Sequence, residues 1–204
     1  GSSAPKVYAA MIERLDQVTG HLLAALDELR LAGNTMVIFM SDNGGTGSAR
    51  PSGLREQKGT TFEGGIRVPC IVRWPGVLPA GVTVTHPAMT FDLTASIARA
   101  AGAAAPAGQP FDGIDILRSL ARGETPPERT LFWRGRRGER IWRSVREGAL
   151  KLVIRADGNR REEYLFDLNT DTAEKNNLLA NRPADAARLR EKLAAWEVRV
   201  QPNR

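Results

Sequence analysis

The sequence has 204 residues, of which 42% are hydrophobic and 25% are charged, which is an ordinary globular composition. This length suffices for one domain, or for one and a half domains of usual size. The formal net charge of +6 suits an anionic partner, although an arginine-rich composition alone does not identify one. We expect no membrane contact, because no apolar run approaches the roughly 18 residues of a bilayer-spanning helix. The single cysteine, Cys70, cannot form an internal disulfide.

The first 125 residues predict an α/β arrangement. Apolar residues at steps of three and four over residues 8–26 predict an amphipathic helix, and the apolar run 36–40 predicts a short buried strand of a parallel sheet. A polar loop follows, then a second short strand over residues 68–72. Two further helices are predicted, one over residues 90–102 and a short one within 112–124.

From about residue 126 the pattern changes to short strands of alternating polarity. The segments are "RTLFWRG", "IWRSVREG", "ALKLVIRADGN" and "EEYLFDLNTD", separated by turn residues such as Asp157-Gly158. A helix beginning at Pro183 then closes the chain. We therefore predict two domains: residues 1–125, and a subdomain over residues 126–204 in which a four-stranded antiparallel sheet is covered by one helix.

Three residues have the chemistry of a binding site. Asp42 and Asn43 follow the apolar run directly, and their oxygens are ligands that Ca²⁺ or Mg²⁺ prefers. The alternative is a surface turn without a ligand, which the spacing alone favours. Lys58 lies beside glycine and two threonines, which suits an oxyanion, although most loop lysines are simply solvated. We predict that Glu63 and Arg67 pair to brace this loop.

The order of these segments is more specific than the residues taken singly. "NTMVIFMSDNGG" followed by "LREQKGTTFEGGIRVPCIVRWPG" resembles the formylglycine-dependent sulfatases of the alkaline phosphatase superfamily, as does "EYLFDLNTDTAEKNNLL" further along. The resemblance implies the C-terminal part of an alkaline-phosphatase-like α/β sandwich domain. It also implies that Asp42 and Asn43 bind a single divalent cation, usually Ca²⁺, and that Lys58 contacts the sulfate. The implied activity is hydrolysis of sulfate esters on a small molecule or glycan, and Asn43 in place of histidine favours sulfate over phosphate.

The sequence also departs from that family. It contains no Cys- or Ser-x-Pro-x-Arg motif, from which formylglycine is made, and His21 and His86 match no family site. The family's first pair of metal-binding aspartates is absent as well. We therefore expect a C-terminal portion whose formylglycine belongs to a missing N-terminal half, and an isolated chain that is inactive. Pairing with that half, or oligomerisation, is expected to cover exposed surfaces. The chain carries no signal peptide pattern and leaves the compartment open, although export would suit a full-length enzyme.

The stretch "WRGRRGERIWRSVR" places arginines around Trp133 and Trp142. Arg134, Arg136 and Arg137 are predicted to lie at a hairpin tip, where they would reach a sulfated glycan. A solvated loop with its tryptophans turned into the core is the favoured alternative, and no recognised module supports nucleic-acid binding. Two other functions stay open: a non-catalytic relic or anionic-glycan binding module, and a phosphodiester or phosphonate ester hydrolase.

Overall fold

A computed structural model describes residues 4–47, 49 and 53–200. Five α-helices and six strands follow one another in the described part of the chain. They are α1 (Ala4–Glu28), β1 (Val37–Met40), α2 (Glu63–Ile66), β2 (Cys70–Arg73), α3 (Thr90–Ala100), α4 (Ile116–Ala121), β3 (Thr130–Arg137), β4 (Arg140–Glu147), β5 (Leu150–Asp157), β6 (Arg160–Asp167) and α5 (Pro183–Val200). None of the described helices combines the length and the apolar character that a bilayer crossing demands.

The chain forms two compact units. The sheet unit comprises the described residues within 1–15, 40–70 and 128–204, and the helical unit comprises residues 16–39 and 71–127. The segment 40–70, which contains Asp42, Asn43 and Lys58, therefore belongs to the same unit as the C-terminal sheet.

Polar groups inside the helical unit organise α3 and α4. The buried Asp92 accepts hydrogen bonds from the backbone N–H groups of Met89 (2.6 Å) and Ile114 (3.1 Å). Ser96 Oγ accepts another from the Leu117 N–H at 3.3 Å. These bonds fix the start of α3 and the segment that leads into α4, because unmade bonds at such buried groups would be costly.

The burial predicted for the first strand is wrong. β1 pairs with β2 in a sheet of two strands, and all four β1 residues are only half-buried. Along α1 the predicted apolar stripe forms, and most of it is exposed, from 46% at Leu15 to 64% at Met11, while Tyr8, Leu23 and Leu26 are half-buried. A two-stranded sheet cannot bury a strand on both faces, because burial requires neighbouring layers.

The sheet of the other unit is the predicted antiparallel one, with strand order β3-β4-β5-β6. Each connection is a two-residue turn that begins with a glycine at positive φ: Gly138 (60°), Gly148 (57°) and Gly158 (56°). Tight hairpin turns of this kind need positive φ, which glycine adopts without steric cost. These turns fix the register, and the predicted four strands are confirmed.

Both faces of this sheet are covered. One face packs against α5 through a cluster that includes Val145, Leu152, Leu165, Leu189 and Leu193. On the same side the Phe132 and Trp196 rings stack with centroids 5.1 Å apart. The opposite face packs against Phe62, which is 1% exposed, through Trp142, Val153, Phe166 and Leu168. The segment 55–66, which we call the Lys58 loop, is thereby seated on the sheet.

Candidate functional site

Backbone hydrogen bonds tie the Asp42-Asn43 turn to the Lys58 loop. The Gly44 N–H donates to the Gly65 carbonyl oxygen, and the Lys58 N–H donates to the Gly45 carbonyl oxygen, both at 2.9 Å. The Ser41 hydroxyl donates to the Asn43 carbonyl oxygen at 2.8 Å and holds the turn itself. The turn after β1 and the loop that carries Lys58 are therefore one structure.

Only glycine fits where these two segments meet. A Cβ on Gly44 would collide with the Gly64 carbonyl oxygen, and one on Gly65 with the Thr60 carbonyl oxygen. Gly44 of "DNGG" and both glycines of "EGG" are thus explained by close approach of backbone to backbone, which a side chain would block.

The predicted site side chains differ in burial. Asp42 and Lys58 are exposed and Asn43 is half-buried. Within the described part of the chain, neither Asp42 nor Lys58 has a side-chain hydrogen bond or ion pair. The described residues contain no group of three or more His, Cys, Asp and Glu side chains that could hold a metal ion. Asp42 and Asn43 thus offer two oxygen donors.

A buried ion cluster, which the sequence did not predict, connects the Lys58 loop to the sheet. Lys151 on β5 is fully buried, and its Nζ lies 2.7 Å from Glu63 Oε1 and 2.9 Å from Glu174 Oε1. Glu174 Oε2 accepts the Glu63 N–H at 2.7 Å. The predicted pair of Glu63 with Arg67 is present at 3.5 Å, although Lys151 is the closer partner. Burial raises the pKa of Glu174, against the opposing effects of the Lys151 charge and of the Glu63 N–H.

A cationic stack reinforces the same anchor. The Arg55 guanidinium lies 4.5 Å from the ring centroids of both Phe62 and Tyr164. Its Nη1 also donates to the Glu174 carbonyl oxygen at 2.9 Å. Arginine over aromatic faces adds electrostatic attraction to apolar packing. The single charge in the apolar run "ALKLVI" was the one sequence signal for Lys151, whereas nothing in the sequence pairs it with Glu63 or Glu174.

A depression of about 380 Å³ opens between the Lys58 loop and the end of the sheet that carries the β3–β4 turn. It is lined by Glu56, Gln57, Lys58 and Thr60 from the loop and by Arg137, Arg140, Trp142 and Arg155 from the sheet. Of the three arginines predicted at the hairpin tip, only Arg137 lines it. Arg134 lies three residues earlier in β3, so the two side chains leave opposite faces of the sheet.

Comparisons with known proteins show which family this chain is similar to. The family model described as Sulfatase matches residues 3–103. A sulfatase of Formosa agariphila is 36% identical over 222 residues, covering 94% of this chain and 39% of that protein. Arylsulfatase A of Bos taurus is 32% identical over 205 residues, covering 88% of this chain and 40% of that protein. The crystal structure of Ps i-CgsB in complex with k-i-k-neocarrahexaose matches with a TM-score of 0.87 at 29% identity, covering 96% of this chain and 44% of that one. The chain thus spans about two fifths of the length of these relatives.

Proposed function

This chain belongs to the sulfatase family, and on that premise we propose that it supplies the sulfate-contacting lysine and part of the cation site of an enzyme that hydrolyses sulfate esters on a glycan. The observation that carries the proposal is the joining of the Asp42-Asn43 turn to the Lys58 loop by two backbone hydrogen bonds of 2.9 Å. The two residues proposed to bind a cation and the lysine proposed to bind an anion thereby lie on two segments that are hydrogen-bonded to each other.

Lys58 is proposed to contact the sulfate group. Its ammonium is exposed and has no ion-pair partner among the described residues, so it is available to an incoming anion. A cation fixed beside the ester favours the negative charge that grows on the leaving oxygen as the bond breaks. Because the loop is anchored by backbone hydrogen bonds and by the buried ion cluster, the backbone that carries the lysine needs little rearrangement when substrate binds.

Asp42 and Asn43 are proposed to hold the divalent cation. The carboxylate and the amide oxygen fit a hard ion such as Ca²⁺ or Mg²⁺, but a hard ion takes about six oxygens, so the remaining ligands must come from elsewhere. When bound, the cation supplies electrostatic stabilisation of negative charge on the substrate. Asp42 and Asn43 would supply two of the oxygen ligands of the ion.

The nucleophile is proposed to lie outside this chain. The 204 residues contain no Cys- or Ser-x-Pro-x-Arg motif. The exposed apolar stripe of α1 and the two-stranded sheet support a further layer of protein that covers both. We therefore expect the isolated chain to hydrolyse no sulfate ester.

A sulfated glycan is the proposed substrate class. The structural relative Ps i-CgsB was solved with k-i-k-neocarrahexaose, and its match covers 96% of this chain. The cationic depression beside Lys58 offers room and charge for such a ligand.

The test is release of inorganic sulfate from sulfated oligosaccharides, measured by ion chromatography on the complete gene product. Lys58→Ala is expected to lower kcat/KM by about 100-fold or more, as removal of one charge-stabilising group does elsewhere. Lys6→Ala, which removes an exposed lysine on α1, is the matched control and should leave the rate unchanged. Equal activity of Lys58→Ala and wild type, or turnover by the isolated 204-residue chain, would contradict the proposal.

A further inference from the structure

We propose that the depression beside Lys58 is a subsite for a second anionic group of the substrate, with Arg137 as its main ligand. The proposal rests on the proposed function and narrows its substrate to glycans that carry a further acidic substituent, sulfate or carboxylate, near the scissile sulfate.

The lining holds four cationic side chains and one carboxylate, Glu56. Two of the cations are already occupied. Arg140 Nε lies 2.8 Å from Asp157, and Arg155 lies 3.8 Å from the same carboxylate and 3.7 Å from Glu162. Arg137, by contrast, is exposed and has no ion pair or side-chain hydrogen bond within the described residues. Together with Lys58 it leaves two uncommitted cations in one depression.

Arg137 lies directly against the loop that carries Lys58. Gly59, the residue after Lys58, has a φ of +94°, and a Cβ built on it would lie 3.6 Å from Arg137 Cδ. The arginine stem therefore packs along the loop while its guanidinium remains free, as long cationic side chains often do. The two uncommitted cations come from neighbouring positions in space, although they lie 79 residues apart in sequence (137 − 58).

One wall of the depression also contains an unmet hydrogen-bond donor. Trp142 is only 4% exposed, and its Nε1 has no acceptor among the described residues. A buried donor without a partner costs about 1–3 kcal/mol, and an ordered water is one way in which such a group is satisfied.

Two free cations indicate two anionic groups rather than one. Lys58 is a point charge suited to the sulfate that leaves, whereas the planar guanidinium of Arg137 binds a carboxylate or sulfate through two parallel hydrogen bonds. A volume of about 380 Å³ lies within the range of small-molecule sites. The depression is thus large enough for a sugar unit that carries the second acidic group.

The experiment measures binding to the 204-residue chain itself, independently of hydrolysis. Calorimetric titrations use three disaccharides of one backbone that carry two sulfates, one sulfate and one carboxylate, or one sulfate. Arg137→Gln is compared with Arg134→Gln, which removes the same charge from the same strand on the opposite face. Arg137→Gln is expected to weaken the two dianionic ligands by about 10-fold, as loss of a charge-assisted hydrogen bond predicts, and the monosulfate by less than 2-fold. Arg137→Lys should fall between wild type and Arg137→Gln for the dianionic ligands.

The outcomes separate the subsite from the catalytic proposal. Equal losses in Arg137→Gln and Arg134→Gln, or equal losses for the monoanionic and dianionic ligands, would overturn the subsite and indicate only general attraction by net charge. A preference of the wild-type chain for dianionic ligands that disappears in Arg137→Gln would establish it. In the complete enzyme the variant should raise KM for the disulfated substrate with little change in kcat. If the complete enzyme released no sulfate while this binding preference held, the proposed hydrolysis would fail and the subsite would stand.

Discussion

Replacement of Lys151 by methionine is expected to lower the free energy of unfolding by about 3–5 kcal/mol, as removal of one partner of a buried ion pair typically does. Methionine keeps much of the side-chain volume, so the packing of β5 against the Lys58 loop changes little. What is lost is the ammonium that lies 2.7 Å from Glu63 and 2.9 Å from Glu174. Both carboxylates are buried, so water cannot replace it.

The magnitude follows from two limits. With an effective dielectric constant of 20, each ammonium–carboxylate attraction at these distances is about 6 kcal/mol, and the cost of desolvating the charges offsets part of it. Alternatively, the orphaned Glu174 takes up a proton. Neutralising one ordinary glutamate at pH 7 costs about 3.4 kcal/mol, because pH 7 lies about 2.5 units above its usual pKa. Either route gives a loss that is large beside the roughly 5–15 kcal/mol total stability of a domain.

Urea denaturation followed by tryptophan fluorescence measures this loss of stability in the sheet unit, which contains Lys151. Trp133, Trp142 and Trp196 lie in the sheet unit, and Trp74 does not. Lys175→Met is the matched control, since this exposed lysine has no side-chain partner among the described residues and should change stability by less than about 0.5 kcal/mol.

A second variant keeps the test decisive if Lys151→Met folds poorly. Adding Glu174→Gln removes one of the two carboxylates that lose Lys151 as a partner, so the double variant should regain more than about 1 kcal/mol, a coupling usual for residues in contact. A Lys151→Met loss no larger than that of Lys175→Met, or a double variant less stable than the single one, would refute the reasoning.

Two further predictions concern the loop and its anchor. Gly65→Ala should lower the free energy of unfolding by more than about 2 kcal/mol, because its Cβ would meet the Thr60 carbonyl oxygen. The control, Gly20→Ala, lies on α1 where the added Cβ meets nothing, and it should raise the free energy of unfolding by about 0.5–1 kcal/mol. Both changes are measured as shifts of the urea midpoint followed by circular dichroism. The reverse order would contradict the steric explanation. Burial raises the pKa of Glu174 above its usual 4.5, so its contribution to stability is fully present below pH 4.5 and is lost as pH rises through the folded-state pKa. Wild-type stability minus that of Glu174→Gln should therefore fall as pH rises above 4.5, and a constant or rising difference would show that Glu174 does not titrate in this way.

Local patterns made the C-terminal half predictable. The predicted helix from Pro183 begins at that residue, and Leu189 and Leu193 of its apolar stripe are buried as periodicity requires. The turn predicted at Asp157-Gly158 appears as a tight connection that begins with Gly158 at a φ of 56°. Each feature depends on residues that are neighbours in sequence, so the sequence alone contained the information.

The position of Arg137 illustrates an intermediate case. The sequence predicted arginines near a hairpin tip, but it did not distinguish Arg137 from Arg134 and Arg136. Strand register decides which of them faces the Lys58 loop, and a shift by one residue would exchange the faces. The depression beside Lys58 thus depends on a hydrogen-bonding pattern that composition and motif do not specify.

By itself the sequence determined the order of the elements, the hairpin turns and the glycine-rich segments around Asp42, Asn43 and Lys58. Each of these features depends on residues that are adjacent in the sequence. Only the tertiary structure joined Lys151 to Glu63, 88 residues away, and Glu63 to Glu174, 111 residues away. Those contacts arise when the Lys58 loop packs on a sheet whose register is already fixed, and burial then makes the pairing of charges obligatory. Tertiary structure also left the α1 stripe exposed, because whether an apolar face is covered depends on which other layers are present and not on the period of the face itself.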